Sequence, residues 1–159
     1  NGYANSGLWP LFHNLVERAR FRRKDFQLYR EVNRMMADRI ATDAAQDDLV
    51  WIHDYQLLLV PGMLRERGLR QPLAHFLHIP FPPTSVLRLC PERRQILVSL
   101  LGCDWLGFQT EESVDTFANA ARRELGARVL RGPGGVTVTG GGRTTRLQAL
   151  PISIDARGV

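Results

Sequence analysis

The sequence predicts an α/β fold built on a parallel, doubly wound sheet. Two observations carry that expectation. Short, β-rich apolar runs alternate along the chain with segments of helical periodicity, and the connections between them are short. The composition agrees: 159 residues, 44% hydrophobic and 23% charged, suffice for one domain with its own core. They exclude a disordered tail, a collagen-like repeat and a disulfide-stapled miniprotein.

Taken in order, residues Lys24 to about Ala45 place Leu28, Val32, Met35, Met36 and Ile40 at i, i+3, i+4 spacing, which predicts an amphipathic helix with that stripe inward. Leu49–His53 (LVWIH) reads as a buried strand, Leu57–Arg67 as a helix ended by Gly68. Leu73–Ile79 (LAHFLHI) is a second strand, stopped by Pro80, Pro82 and Pro83. Pro91 opens a helix that runs through Leu101 and closes at Gly102. Asp104–Phe108 (DWLGF) is a third strand. Thr110 then caps a helix from Glu111 to Leu125 that ends at Gly126. Val136, Val138, the glycines Gly140–Gly142, Thr145 and Leu147 predict a hairpin, and Leu150–Ile154 a last strand. The Gly132–Gly142 stretch reads as a surface turn, because it matches neither GxGxxG nor GxxxxGK[ST] and no strong helix follows it.

Charge and cysteines narrow the function classes. The net charge of +5 comes almost wholly from arginine, Lys24 being the only lysine. The arginines are scattered as Arg18–Arg23, Arg65–Arg70 and Arg93–Arg94, which reads as solvated helix faces rather than a nucleic-acid footprint. Cys90 and Cys103 form no CxxC pair and sit in apolar stretches, as buried thiols of a reducing compartment do. No apolar run can cross a bilayer; Leu57–Val60 is cut off by Pro61. The sequence opens at Asn1 with no signal-peptide pattern, so a start inside a longer protein is expected.

In an open parallel sheet, ligands bind outside the carboxyl ends of the strands. Three predicted strands end in polar residues there: His53, Asp54 and Tyr55; His78 before its proline loop; and Gln109 with Thr110. Asp54 could equally cap the following helix, and His53 reads as structural, bonded to nearby backbone. His75 and His78, three apart on a strand, point to opposite faces and cannot share a metal ion. Trp9, followed by Pro10, could be no more than a helix-entry core residue.

The segments NGYANSGLWPLFH, VWIHDYQLLLVPGMLRERG, HFLHIPFPPTSVLRLCPERRQILVSLLGCDWLGFQT and LPISID resemble the trehalose-6-phosphate synthases, the family-20 retaining glycosyltransferases, from Asn1 to about Asp155. The resemblance implies the Rossmann-like N-terminal, acceptor-side half of a two-domain GT-B fold, with a C-terminal nucleotide-binding domain outside these residues. It implies glucosyl transfer from UDP-glucose to glucose 6-phosphate with retention, no metal or other cofactor, no nucleic-acid or membrane partner, a cytoplasmic location and a possible homo-oligomer. By motif, Trp9 would lie against the acceptor sugar phosphate, Asp54 would bond acceptor hydroxyls, and His78 would face the donor glucose. A relative with another acceptor, such as glycerol 3-phosphate, and a non-catalytic sugar-phosphate module are the alternatives. One departure stands out: where many members carry Ile-Gly-Phe-Phe, this chain has Leu73, Ala74, His75 and Phe76.

Overall fold

A computed structural model describes residues 2–153 and places the strands β1 (Val50–His53), β2 (Leu73–Leu77), β3 (Trp105–Phe108), β4 (Arg128–Gly132), β5 (Gly135–Gly140) and β6 (Arg143–Ala149) in one sheet. Its order is β1-β2-β3-β6-β5-β4. β1, β2, β3 and β6 run parallel, whereas β4, β5 and β6 form an antiparallel meander at one edge. The sheet is therefore mixed rather than wholly parallel. A π-helical segment, Gly2–Leu8, and helices α1 (Trp9–Phe12) and α2 (Arg23–Asp43) precede β1; α3 (Val60–Glu66) lies between β1 and β2, α4 (Thr84–Leu87) and α5 (Arg93–Leu100) between β2 and β3, and α6 (Glu111–Leu125) between β3 and β4.

The element reading holds best where local chemistry is complete. The α6 helix occupies the predicted span; Thr110 Oγ1 accepts from the Ser113 amide, and Gly126 closes the helix at φ +70°. The glycine turn between β5 and β6 forms at Gly141 and Gly142, both at positive φ. Three readings need correction. Gly132–Gly142 is not one surface turn, since β5 runs through it and pairs on both sides with β4 and β6. Leu150–Ser153 joins no strand, although the Leu150 amide donates to Phe108 O at 2.8 Å; Ile154 lies outside the described residues. Arg65 is no solvated helix charge. Its side chain is buried and donates to the carbonyls of Gly102, Leu69 and Gln71 and to Asp104 Oδ2, tying α3 to the start of β3.

Pairing register sorts the sheet's side chains. Ile52, His75, Leu106 and Leu147 lie in one row on the face that carries the core. Trp51, Ala74 and Trp105 form the neighbouring row on the opposite face, where the two indoles stay 59% and 44% exposed over an apolar trough of about 480 Å³. Cys90 and Cys103 are both buried free thiols, as expected. Among the described residues, no helix is long and apolar enough to cross a membrane.

Helix α2 turns a different face inward from the predicted one. Leu28, Val32 and Met35 are 66%, 56% and 60% exposed, while Tyr29, Asn33 and Ala37 are buried. The buried polar pair explains the rotation. Tyr29 Oη donates to Tyr55 O at 2.7 Å and accepts from the Leu58 amide at 3.1 Å. Asn33 Nδ2 donates to Gln56 O at 2.9 Å, and Asn33 Oδ1 accepts from the Leu59 amide at 3.0 Å. Two side chains of one helix thus satisfy four main-chain groups of the segment 55–59, which would otherwise be buried without partners.

His75, the core-facing histidine of β2, is buried, and among the described residues neither of its ring nitrogens has a hydrogen-bond partner. Burial, reinforced by nearby His53 and His78 and partly opposed by the Asp54 backbone, pushes its pKa from 6.5 down to about 3. Between those values the unfolded chain binds the proton and the folded one does not, so stability falls as the pH drops below 6.5.

Two outcomes follow for urea unfolding. Asn33→Leu, which strands buried main-chain groups, costs about 2 kcal/mol, against less than about 0.5 kcal/mol for Val32→Ala on the exposed stripe. His75→Phe keeps the ring and gains about 1–3 kcal/mol near pH 7. It also loses less stability than the parent chain when the pH is lowered to about 5; an equal acid loss in both proteins contradicts the assignment.

Candidate functional site

The carboxyl ends of β1 and β2 meet because the strands are parallel neighbours in register, with His53 opposite Phe76. The chain leaves β1 through Asp54, whose backbone sits at φ +68°, ψ 176°, a region in which residues other than glycine are strained by roughly 1–3 kcal/mol. A 3-10 turn, Tyr55–Leu57, follows directly. The Asp54 amide donates to Phe76 O at 2.8 Å, its carbonyl accepts from the Leu57 amide at 3.2 Å, and Tyr29 and Asn33 grip the turn beyond it. The conformation is thereby held from both sides.

The carboxylate does not cap that turn. Asp54 makes no side-chain cap bond; Oδ1 accepts instead from the His78 backbone amide at 3.2 Å, across the gap between the strand ends. The capping alternative is therefore set aside. Asp54 is half-buried and His78 exposed, so both face the rim rather than the core. His53, expected to bond backbone, pairs with the His78 ring instead: Nδ1 and Nε2 are 3.0 Å apart.

The loop after His78 is fixed by α6. The Phe81 amide donates to Ser113 Oγ at 3.2 Å, and Thr116 Oγ1 donates to Phe81 O at 3.0 Å. The Phe81 ring packs edge-on against Phe117, Phe108 and Phe12, at centroid distances of 5.1, 6.2 and 5.4 Å. Phe12 belongs to α1, so the same aromatic cluster docks the helix that bears Trp9 beside the His78 loop.

Trp9 itself departs from the core expectation. It is 39% exposed, and its ring lies against His13 at 4.1 Å, while His13 Nδ1 sits 2.7 Å from Trp9 O. Among the described residues it makes no ring or hydrogen-bond contact with Asp54 or His78. The π-helical segment before it is joined to the rim by Tyr55, whose Oη donates to Asn5 Oδ1 at 3.0 Å. His13 escaped the sequence reading, and its i+4 spacing from Trp9 was the available signal.

The third strand end is used structurally. Gln109 Oε1 accepts from the Ile152 amide at 3.0 Å, and Thr110 caps α6. His75 and His78 stand on opposite faces, as their spacing requires. Among the described residues no group of three or more His, Cys, Asp or Glu side chains is placed to hold a metal ion. Among the described residues the rim accordingly offers one carboxylate with an unbonded oxygen, one imidazole edge and an exposed indole, a set that suits sugar hydroxyls and sugar faces better than nucleophilic chemistry.

Comparison with known proteins bears directly on this geometry. The chain is 43% identical over 156 residues to the bifunctional trehalose-6-phosphate synthase/phosphatase of Thermoproteus tenax, an alignment covering 97% of this chain and 21% of that protein. It is 41% identical over 160 residues to the trehalose-6-phosphate synthase of Mycobacterium ulcerans, covering 98% and 32% respectively. The crystal structure of a UDP-forming α,α-trehalose-phosphate synthase from Burkholderia xenovorans, in complex with glucose-6-phosphate, superposes with a TM-score of 0.90 at 35% identity, over 96% of this chain and 34% of that one. An Escherichia coli trehalose-6-phosphate protein bound with UDP-2-fluoro glucose gives 0.90 at 33% identity, over 98% and 34%. The chain thus spans between a fifth and about a third of the length of these relatives. The family model for glycosyltransferase family 20 matches residues 1–159. On that full-length match, the chain belongs to glycosyltransferase family 20.

Proposed function

We propose that this chain forms the acceptor side of the cleft in a trehalose-6-phosphate synthase, which transfers glucose from UDP-glucose to glucose 6-phosphate with retention. The observation that carries the reading is the Asp54–His78 bridge across two parallel strand ends, with Asp54 held at φ +68° by the contacts on either side of it. The two solved relatives, one with glucose-6-phosphate and one with UDP-2-fluoro glucose, support the substrate classes. The nucleotide-binding side of the cleft belongs to the remaining length of the longer protein.

Glucosyl transfer builds positive charge at the sugar's C1 while negative charge grows on the departing phosphate. In a front-face reaction the C1–O bond to UDP breaks, the acceptor oxygen bonds to C1 from the same side, and its proton passes to the leaving phosphate oxygen. The protein supplies orientation rather than a nucleophile. Asp54 Oδ1 is engaged by the His78 amide, which directs Oδ2 toward acceptor hydroxyls. His78 presents its ring edge to the donor glucose, and the half-exposed Trp9 lies along the acceptor sugar phosphate. We also propose that the enzyme uses no metal ion or other cofactor, works in the cytoplasm, and self-associates as the full-length protein.

Incubating the full-length protein with UDP-glucose and glucose 6-phosphate should release UDP and form α,α-trehalose 6-phosphate. No UDP release with any sugar-phosphate acceptor defeats the proposal. Asp54→Ala and Asp54→Gly should both lower turnover by two orders of magnitude or more. In melting experiments the glycine variant should be about 1 kcal/mol the more stable, because glycine adopts φ +68° freely and alanine does not. If stability and turnover fall together in both, Asp54 is structural.

A further inference from the structure

The two strand-end histidines touch through their rings and not through the main chain. His53 Nδ1 lies 3.0 Å from His78 Nε2, one donating and the other accepting. The rings are inclined by only 27° with centroids 5.3 Å apart. Trp51 backs His53 at 4.5 Å, and the Phe76 ring meets His78 edge-on at 4.7 Å. Phe76 in turn lies against Gly107 of β3, where a Cβ would come within 2.6 Å of the Phe76 ring carbon Cδ2. Together with the Asp54 carboxylate on its amide, His78 is fixed in both main chain and side chain from β1 and β2.

Two facing imidazole nitrogens that share a hydrogen bond carry one proton between them. The tautomer of either ring then sets that of the other. With Nε2 occupied, Nδ1 is the one His78 ring nitrogen left for a ligand, and its protonation is the reverse of that at Nε2. An unpaired, exposed histidine would interconvert tautomers and rotate about χ1 and χ2, offering a donor and an acceptor in turn.

We infer that His53 is a positioning residue: it holds His78 in one orientation and one tautomer, so that Nδ1 alone addresses the nucleotide-sugar donor. The inference rests on the reading that His78 meets the donor. It assigns a role to a residue that would otherwise pass for a strand-end bystander, and it accounts for the aromatic backing by Trp51. Because His53 does not itself reach substrate in this scheme, its loss should disturb the chemical step more than acceptor binding.

The test uses the full-length protein. His53→Phe keeps a ring against Trp51 and removes the nitrogen; His53→Asn places an amide close to the Nδ1 position. With UDP-glucose and glucose 6-phosphate, His53→Phe should lower kcat roughly 10- to 100-fold at unchanged acceptor KM and nearly unchanged Tm, and His53→Asn should recover most of the loss. If His53→Phe does not fold, His53→Gln, whose amide sits near the Nε2 position, carries the same expectation. Independently of activity, nitrogen NMR of 15N-histidine-labelled protein should find one His78 tautomer in the parent protein and a mixture in His53→Phe. Parent-like turnover in His53→Phe, mixed tautomers in the parent, or one unchanged tautomer in the variant overturns the inference. A parent protein without transferase activity defeats the functional reading instead, while the NMR result still decides the role of His53.

Discussion

Everything at the rim depends on one main-chain constraint, the positive φ of Asp54. A residue with a Cβ leaves that conformation unless its surroundings over-determine it. Here the surroundings do. β2 receives the Asp54 amide on one side, and Tyr29 and Asn33 of α2 satisfy the next turn on the other. Relaxation to ordinary β geometry would swing the carboxylate away from His78 and break bonds that buried groups cannot replace with water. The strain is stored where the chain changes direction, and the direction it enforces carries Asp54 toward the neighbouring strand end.

The rest of the site is arranged around that turn. Parallel pairing brings His53 and His78 to one edge on one face, and the aromatic cluster of Phe12, Phe81, Phe108 and Phe117 joins the Trp9 helix, the proline loop, β3 and α6. The polar residues of the third strand end, Gln109 and Thr110, serve the backbone instead. The proposed glucosyl transfer asks for a rigid half-cleft, because orientation of two sugars is most of what the protein contributes in that scheme. Rigid strand ends supply that better than a free loop would.

How much of this the sequence discloses varies with how local the physics is. The Thr110 cap, Glu111–Leu125 and Gly126 are readable because every determinant lies within one helix. The three core strands are readable because their apolar runs are bounded by turn residues. The inward face of α2 is not: periodicity selected Leu28, Val32 and Met35, yet Tyr29 and Asn33 face the interior because of carbonyls and amides more than twenty residues away. β4 is not legible, because Arg128, Arg131 and the flanking glycine lend it little strand character, and it exists by pairing with β5. Asp54 and His78 were legible as strand-end polar residues. The positive φ, the His53–His78 contact and the orphaned His75 ring emerge only once the strands are side by side.

A double-mutant cycle between Asn33 and Asp54 addresses the central claim most directly, with turnover of the full-length protein as the readout. If the α2 grip acts through Asp54, Asn33→Leu should reduce turnover strongly in the parent background and hardly at all once Asp54 is alanine, a coupling of about 1 kcal/mol or more. Losses that simply add would mean that α2 stabilises the fold without aiming the carboxylate, and would contradict the account.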